Sequence, residues 1–168
     1  MKVVDEAGNE VPAGSTGELW IKGPGVLRGY WASPEATAAA VTDDGWLRTG
    51  DLARRGPLGT VAFVGRDKDV ILHGGYTVYA LEVQHALEQH PAVLEAAVVG
   101  LPDELVGEVP VAAVRLAHGV RLEDLNLGEW AAERLADYKV PRRFVATEEL
   151  PRTGTRKVRR DQVRALFT

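Results

Sequence analysis

Apolar positions along the chain follow two rhythms, and the change from one to the other divides it. Up to about residue 65, short apolar runs are cut apart by turn formers: Ala13-Gly14-Ser15-Thr16-Gly17, Gly23-Pro24-Gly25 and Arg54-Arg55-Gly56-Pro57-Leu58-Gly59. Residues 18–22 and 60–64 are β-rich runs and predict short strands. Ser33-Pro34-Glu35 opens residues 36–40 as a capped helix with proline in its first turn. This section is expected to be mostly β with one helix. From residue 70, strand and helix alternate: strands over 70–72, 93–101, 109–116 and 143–146, helices over 80–89, 122–136 and 159–167. That order predicts an α/β (α+β) fold, a small mixed domain with a short central sheet flanked by helices, after a mostly β segment. The change falls at Gly65-Arg66-Asp67-Lys68-Asp69, a charged stretch that fits a linker or hinge between segments 1–65 and 66–168.

Composition keeps this picture and narrows the chemistry. With 45% of the 168 residues apolar, 26% charged and no long uncharged apolar run, the chain has the make-up of a globular rather than a disordered or membrane-spanning protein. There is no cysteine, which removes disulfides, zinc–thiolate sites and cysteine nucleophiles. His73, His85, His90 and His118 lack the spacing of a metal site, so no metal ligand is assigned. Met1 to Asp5 runs into polar residues without a secretory signal, and the expected location is cytoplasmic. The net charge of −4 conceals a basic carboxyl end, where Arg152, Arg156, Lys157, Arg159, Arg160 and Arg164 face Asp161 alone. Such a tail fits nucleic acid or a local anion such as phosphate; without aromatics before Phe167, nucleic acid is not the expected partner.

Four clusters carry candidate chemistry. Gly45-Trp46-Leu47-Arg48-Thr49-Gly50-Asp51 is either a plain turn or a tight turn presenting Asp51 to a pair of sugar hydroxyls. The 65–69 stretch is either a solvated charge run or a segment whose Arg66 reaches the same ligand. Leu72-His73-Gly74-Gly75-Tyr76 is a loop needing positive φ, or a place where Gly74 and Gly75 let a narrow ligand approach the backbone. Pro151-Arg152-Thr153-Gly154-Thr155-Arg156-Lys157 is a small, hydroxyl-rich, flexible loop before a helix. Its Lys157 is either a surface lysine or a mobile cation that neutralises phosphate or carboxylate charge during a reaction.

All four occur in order at the spacings of one family. Gly17-Glu18-Leu19-Trp20-Ile21-Lys22-Gly23-Pro24, Gly29-Tyr30-Trp31, Pro34-Glu35-Ala36-Thr37 and Gly45-Trp46 through Thr49-Gly50-Asp51 come first. The 65–69 stretch, Gly74-Gly75-Tyr76, Glu82-Val83, His90-Pro91-Ala92-Val93, Val98-Val99-Gly100, Pro102-Asp103 and Gly107-Glu108 continue the series. Leu150-Pro151-Arg152-Thr153 with Lys157 closes it. Over nearly its whole length the chain resembles the adenylate-forming superfamily of acyl-CoA synthetases, peptide-synthetase adenylation domains and beetle luciferases, most of all a fatty-acid–CoA ligase. The resemblance implies the late, β-rich part of a large N-terminal adenylation domain over residues 1–65, and a small mobile C-terminal lid over 66–168. Enzymes of this family join a carboxylic acid to ATP with the help of Mg²⁺, then pass the acyl group of the acyl-adenylate to a thiol, usually that of CoA.

By the same resemblance, Asp51 binds the ribose hydroxyls of the adenylate and Arg66 supports ribose or phosphate. Lys157 bridges the acid and the α-phosphate as charge develops. Lys68 takes the place of the hinge about which the lid rotates between half-reactions. The Gly74-Gly75 loop then replaces Lys157, and Gly75 leaves room for the pantetheine thiol arm of CoA. Arg156 stands where many relatives have glycine, adding charge and stiffening the loop; Thr77 and Ala80 depart at positions near the CoA nucleotide, and Gln84 replaces a frequent glutamate.

Nothing in the chain matches the family's phosphate loop, its Mg²⁺-associated glutamate motif or its acyl pocket. The expected parent is a ligase for a fatty or related apolar acid, with the chain alone inactive. The alternatives are an adenylation domain that loads a carrier protein, and a non-catalytic module that binds through its basic tail. The absence of a carrier segment after Thr168 favours CoA. Strands at 18–22 and 60–64 are expected to expose edges open to self-association.

Overall fold

The computed structural model describes residues 1–168, which divide into two units, Met1–Lys68 and Asp69–Thr168. In the first, strands β1 (Lys2–Val4), β2 (Thr16–Ile21), β3 (Leu47–Arg55) and β4 (Val61–Arg66) form an antiparallel sheet in that order. Val3, Val11 and Ala53 are its buried core, with Leu19 and Val61 packed against them. Gly17 is required by close approach: a Cβ there would stand 2.2 Å from the Val4 carbonyl oxygen, inside the β1–β2 pair.

Three expectations for this unit change. The strand expected at 18–22 is interior, not an edge, because the short β1 pairs Lys2 with Trp20 and Val4 with Glu18; the unpaired edges belong to β1 and β4. The turn expected at 45–51 is confined to its start, where the Gly45 N–H donates to the Thr42 carbonyl at 2.8 Å. From Leu47 the chain is strand, since pairing with β2 on one side and β4 on the other overrides the turn preference of Gly50 and Asp51. Helix α1 (Pro34–Ala40) forms with proline at its start but without a side-chain cap. The Ser33 carbonyl instead accepts both the N–H and the hydroxyl of Thr37, at 3.1 and 2.9 Å.

The second unit holds β5 (Val70–His73), β6 (Tyr76–Tyr79), α2 (Ala80–Glu88), β7 (Val93–Asp103), β8 (Gly107–Leu116), α3 (Leu127–Ala132), β9 (Arg143–Ala146) and α4 (Arg160–Ala165). The sheet runs β6-β5-β8-β7, with β9 parallel to β8 along 111–114. Strands β7 and β8 are apolar on both faces because both are covered. Ala96, Val98, Ala112 and Val114 pack with Val83 and Leu87 of α2 and with Leu127 and Ala131 of α3. Ala97, Val99, Val111 and Ala113 pack with Leu150, Phe167 and Val163 of α4.

The helix expected over 122–136 is broken. Leu122–Asp124 is a 3-10 turn, α3 is six residues long, and a second 3-10 turn covers Asp137–Lys139. Leu122, Leu125 and Leu127 all pack on the same core. In one continuous helix Leu122 and Leu127 would point about 140° apart, so a break at Asn126 lets all three face inward. The division between units falls after Lys68, placing Arg66 at the end of β4 and Lys68 in the 3-10 turn Asp67–Asp69, whereas the charge pattern placed both in the second segment. No helix is long and apolar enough to cross a membrane.

Candidate functional site

In the first unit, register brings Asp51 on β3 opposite Arg66 on β4, and the Arg66 Nε–H donates to Asp51 Oδ1 at 3.0 Å. Both side chains are partly exposed, at 36% and 43%, and Asp51 Oδ2 has no protein partner. An exposed pair of this kind adds little to stability. It does leave a carboxylate with one oxygen steadied by a guanidinium and the other open to hydroxyl donors. The strip is held from behind. The Thr49 hydroxyl donates to the Leu19 carbonyl at 2.6 Å and accepts the Asp51 N–H at 3.0 Å. The Glu18 carboxylate accepts the Gly50 N–H at 2.9 Å and the Trp20 indole N–H at 2.8 Å. Lys68 is exposed, the last residue of this unit.

In the second unit, Gly74 and Gly75 form the two-residue turn of the β5–β6 hairpin, with φ of +58° and +81°. Positive φ at both central residues matches a right-twisted hairpin, and glycine adopts it without steric cost. No atom lies within 4 Å of where a Gly75 Cβ would stand, so the backbone is open on that side. The turn is tethered to β8 and the β7–β8 connection. The Leu72 N–H donates to a Glu108 carboxylate oxygen at 3.0 Å, the buried His73 Nδ1–H to the Glu108 carbonyl at 2.6 Å, and the Gly74 N–H to the Val106 carbonyl at 2.8 Å.

Lys157 sits on a separate loop, and that loop is a closed turn. The Thr153 N–H donates to the Lys157 carbonyl at 2.8 Å, the Lys157 N–H to Thr153 Oγ1 at 3.1 Å, and the Arg156 N–H to the Thr153 carbonyl at 2.8 Å. Arg156 holds the left-handed conformation, φ +64°. Beside the loop runs an open cleft of about 930 Å³, lined by Glu95, Arg115, Leu150, Arg152, Thr153 and Arg156 among others. Partial burial pushes the Glu95 carboxyl pKa up, but hydrogen bonds and charge from Arg115 and Arg152 outweigh it, leaving the pKa below its ordinary value.

Half of the basic tail is paired with acids and one more cation is held by a carbonyl. Arg152 pairs with Glu95, Arg159 with Asp161 and Arg160 with Asp69, while Arg164 Nε–H donates to the Gly100 carbonyl. Among its six cations only the side chains of Arg156 and Lys157 have no partner, and Lys157 is exposed. Arg156 and Lys157 thus stand next to one another as the tail's two cations without a side-chain partner. Reading the sequence residue by residue misses Glu18, Glu95 and Glu108, the acids that hold these loops. Each is a lone carboxylate in a β-rich run, and a partly buried carboxylate in such a run needs a partner.

Residues 82–157 match the AMP-binding enzyme C-terminal domain, and residues 1–31 match the AMP-binding enzyme family. The chain belongs to the adenylate-forming, AMP-binding enzymes. Triostin synthetase I of Streptomyces triostinicus is 44% identical over 167 residues, covering 99% of this chain and 32% of that protein. Feruloyl-CoA synthase of an Amycolatopsis species is 41% identical, covering 99% of this chain and 34% of its own length. The amide bond synthetase McbA of Marinactinospora thermotolerans superposes with a TM-score of 0.92 at 38% identity, over 99% of this chain and 34% of that one. The chain thus spans about a third of the length of these relatives. Lys157 closes the matched C-terminal domain, while Asp51, Arg66, Lys68, Gly74 and Gly75 fall between the two matched segments. No group of three or more His, Cys, Asp or Glu side chains is placed to hold a metal ion.

Proposed function

We propose that this chain is the carboxyl-terminal part of an AMP-forming acid–CoA ligase acting on a fatty or related apolar acid. The observation that carries the reading is the exposed, unpaired Lys157 at the end of a tight turn, in a tail whose arginines are otherwise largely engaged. In adenylation, Lys157 supplies a mobile positive charge to the acid carboxylate and the α-phosphate as the acyl–phosphate bond forms and pyrophosphate leaves. Asp51 receives the ribose hydroxyls on its open oxygen, and Arg66 holds the carboxylate in place. In thioester formation the Gly74-Gly75 turn offers a backbone without side chains to the narrow thiol arm of CoA. The units Met1–Lys68 and Asp69–Thr168 serve as the end of a fixed domain and a moving lid, with Lys68 as hinge.

ATP and CoA are the co-substrates in this reading. Mg²⁺, when bound to the nucleotide, would neutralise phosphate charge. A cytoplasmic setting supplies ATP and CoA. The chain alone has a ribose strip and a lid but no acyl pocket, so the purified chain incubated with ATP, Mg²⁺, palmitate and CoA is expected to release no AMP. The complete ligase is expected to release one AMP per thioester. AMP release by the chain alone would contradict the division of labour. Acyl transfer to a carrier-protein thiol in preference to CoA would replace the acceptor but keep the adenylation step.

A further inference from the structure

Between the apolar face of β7 and the Lys157 turn stands a charged bridge. Glu95, the one acid near the start of β7, directs one carboxylate oxygen to Arg115 on β8, at 3.2 Å, and the other to Arg152, at 2.9 Å. The second arm of Arg152 donates from Nη1 to the carbonyl of Arg156 at 2.8 Å. One guanidinium therefore ties a rigid strand to the residue immediately before Lys157. Arg156 is the position where the turn is strained, with φ +64° in a residue that has a Cβ. A left-handed arginine swings the following peptide and sets the direction in which Lys157 leaves the turn. The carbonyl that Arg152 grips belongs to that peptide.

We propose that Arg152 and Glu95 are positioning residues for the adenylation half-reaction: Glu95, clamped by two arginines, fixes Arg152, and Arg152 holds the Arg156 carbonyl so that Lys157 is presented in one direction. This rests on the reading of Lys157 as the adenylating cation. The planar fork of arginine reaches carboxylate and carbonyl at once, which the single ammonium of lysine does not. The bridge lies within the second unit and touches no part of the Gly74-Gly75 hairpin tether, whose bonds run to Glu108 and Val106. Its loss should therefore separate the two half-reactions.

The test uses the complete ligase that carries this chain, with ATP–pyrophosphate exchange for adenylation and thioester formation from supplied acyl-adenylate for the second step. Arg152→Leu and Glu95→Gln are each expected to lower the kcat of exchange roughly 10-fold or more, the scale of a misplaced reacting group, with the KM for ATP within about twofold. Thioester formation should stay near wild type, and Arg152→Lys should restore only part of the loss. Amide hydrogen exchange at Arg156 and Lys157 should speed up in both variants. Arg159→Gln, which removes a tail charge outside the bridge, is expected to leave both steps unchanged. Loss of both half-reactions together would show a general folding role, and exchange activity within twofold of wild type in either bridge variant would show no role; each outcome overturns the proposal. Lys157→Ala run in parallel separates the causes. If it abolishes exchange while the bridge variants do not, only the positioning proposal falls; if it leaves exchange intact, the reading beneath it falls as well.

Discussion

Arg156 shows how much a single backbone angle can matter. A residue with a Cβ in the left-handed region carries about 1–2 kcal/mol of steric cost, and the side chain of Arg156 has no partner to offset it. Arg156→Gly keeps the carbonyl that Arg152 holds and removes the strain, against about 0.5–1 kcal/mol of extra unfolded-state entropy. It is expected to raise stability by about 0.5–1 kcal/mol, read as an increase in the thermal or urea midpoint. Glu95 gives a second prediction at this scale. Its pKa lies below the ordinary 4.5 because Arg115 and Arg152 favour the charged form over the cost of burial. A carboxylate depressed in the folded state stabilises fully above its unfolded pKa, and that stabilisation is lost as pH falls through the lowered value. Stability of the wild-type chain should therefore fall on acidification below about pH 4.5, the ordinary value. Glu95→Gln should be less stable at neutral pH and show a shallower acid limb in urea unfolding.

At the scale of elements, the hairpin β5–β6 carries the sharpest prediction. Gly75→Ala meets no atom within 4 Å, so its cost is backbone strain at φ +81° rather than collision, about 1–2 kcal/mol in unfolding measurements. In the complete ligase the same change should slow thioester formation more than pyrophosphate exchange. Elements buried on both faces were legible in the chain itself, because β7 and β8 are nearly continuous apolar runs with clear ends. β1 and β6 were not, being three and four residues long, and only their partners make them strands. The break in the 122–136 helix was hidden because Leu122 and Leu125 sit at helical spacing, and only the packing of Leu127 on the same core shows that one straight helix cannot hold all three. Lys157 and the paired glycines were singled out as candidates from residue type and order. The acids that hold them were not, since Glu95 meets Arg152 at a separation of 57 residues and Glu108 meets the Leu72 N–H at 36.

For the molecule as a whole, two units meet at Lys68 and Asp69, with the Asp51–Arg66 pair in the first and two differently tethered loops in the second; in the proposed function they carry separate parts of one chemistry. A hinge at Lys68 implies that stiffening it costs one half-reaction and not both: Lys68→Pro fixes φ near −65° and removes an N–H, and it should impair one step while leaving the other close to wild type. Wild-type rates in both steps would assign the rotation elsewhere. The central claim is that this chain brings the adenylating cation to a ligase site, and the most direct measurement compares the two half-reactions of Lys157→Ala in the complete enzyme. ATP–pyrophosphate exchange should fall by roughly 100-fold or more, the scale of losing a charge-stabilising group at a reacting centre, while thioester formation from supplied acyl-adenylate stays within a few-fold of wild type. Equal loss in both steps, or undiminished exchange, would contradict it.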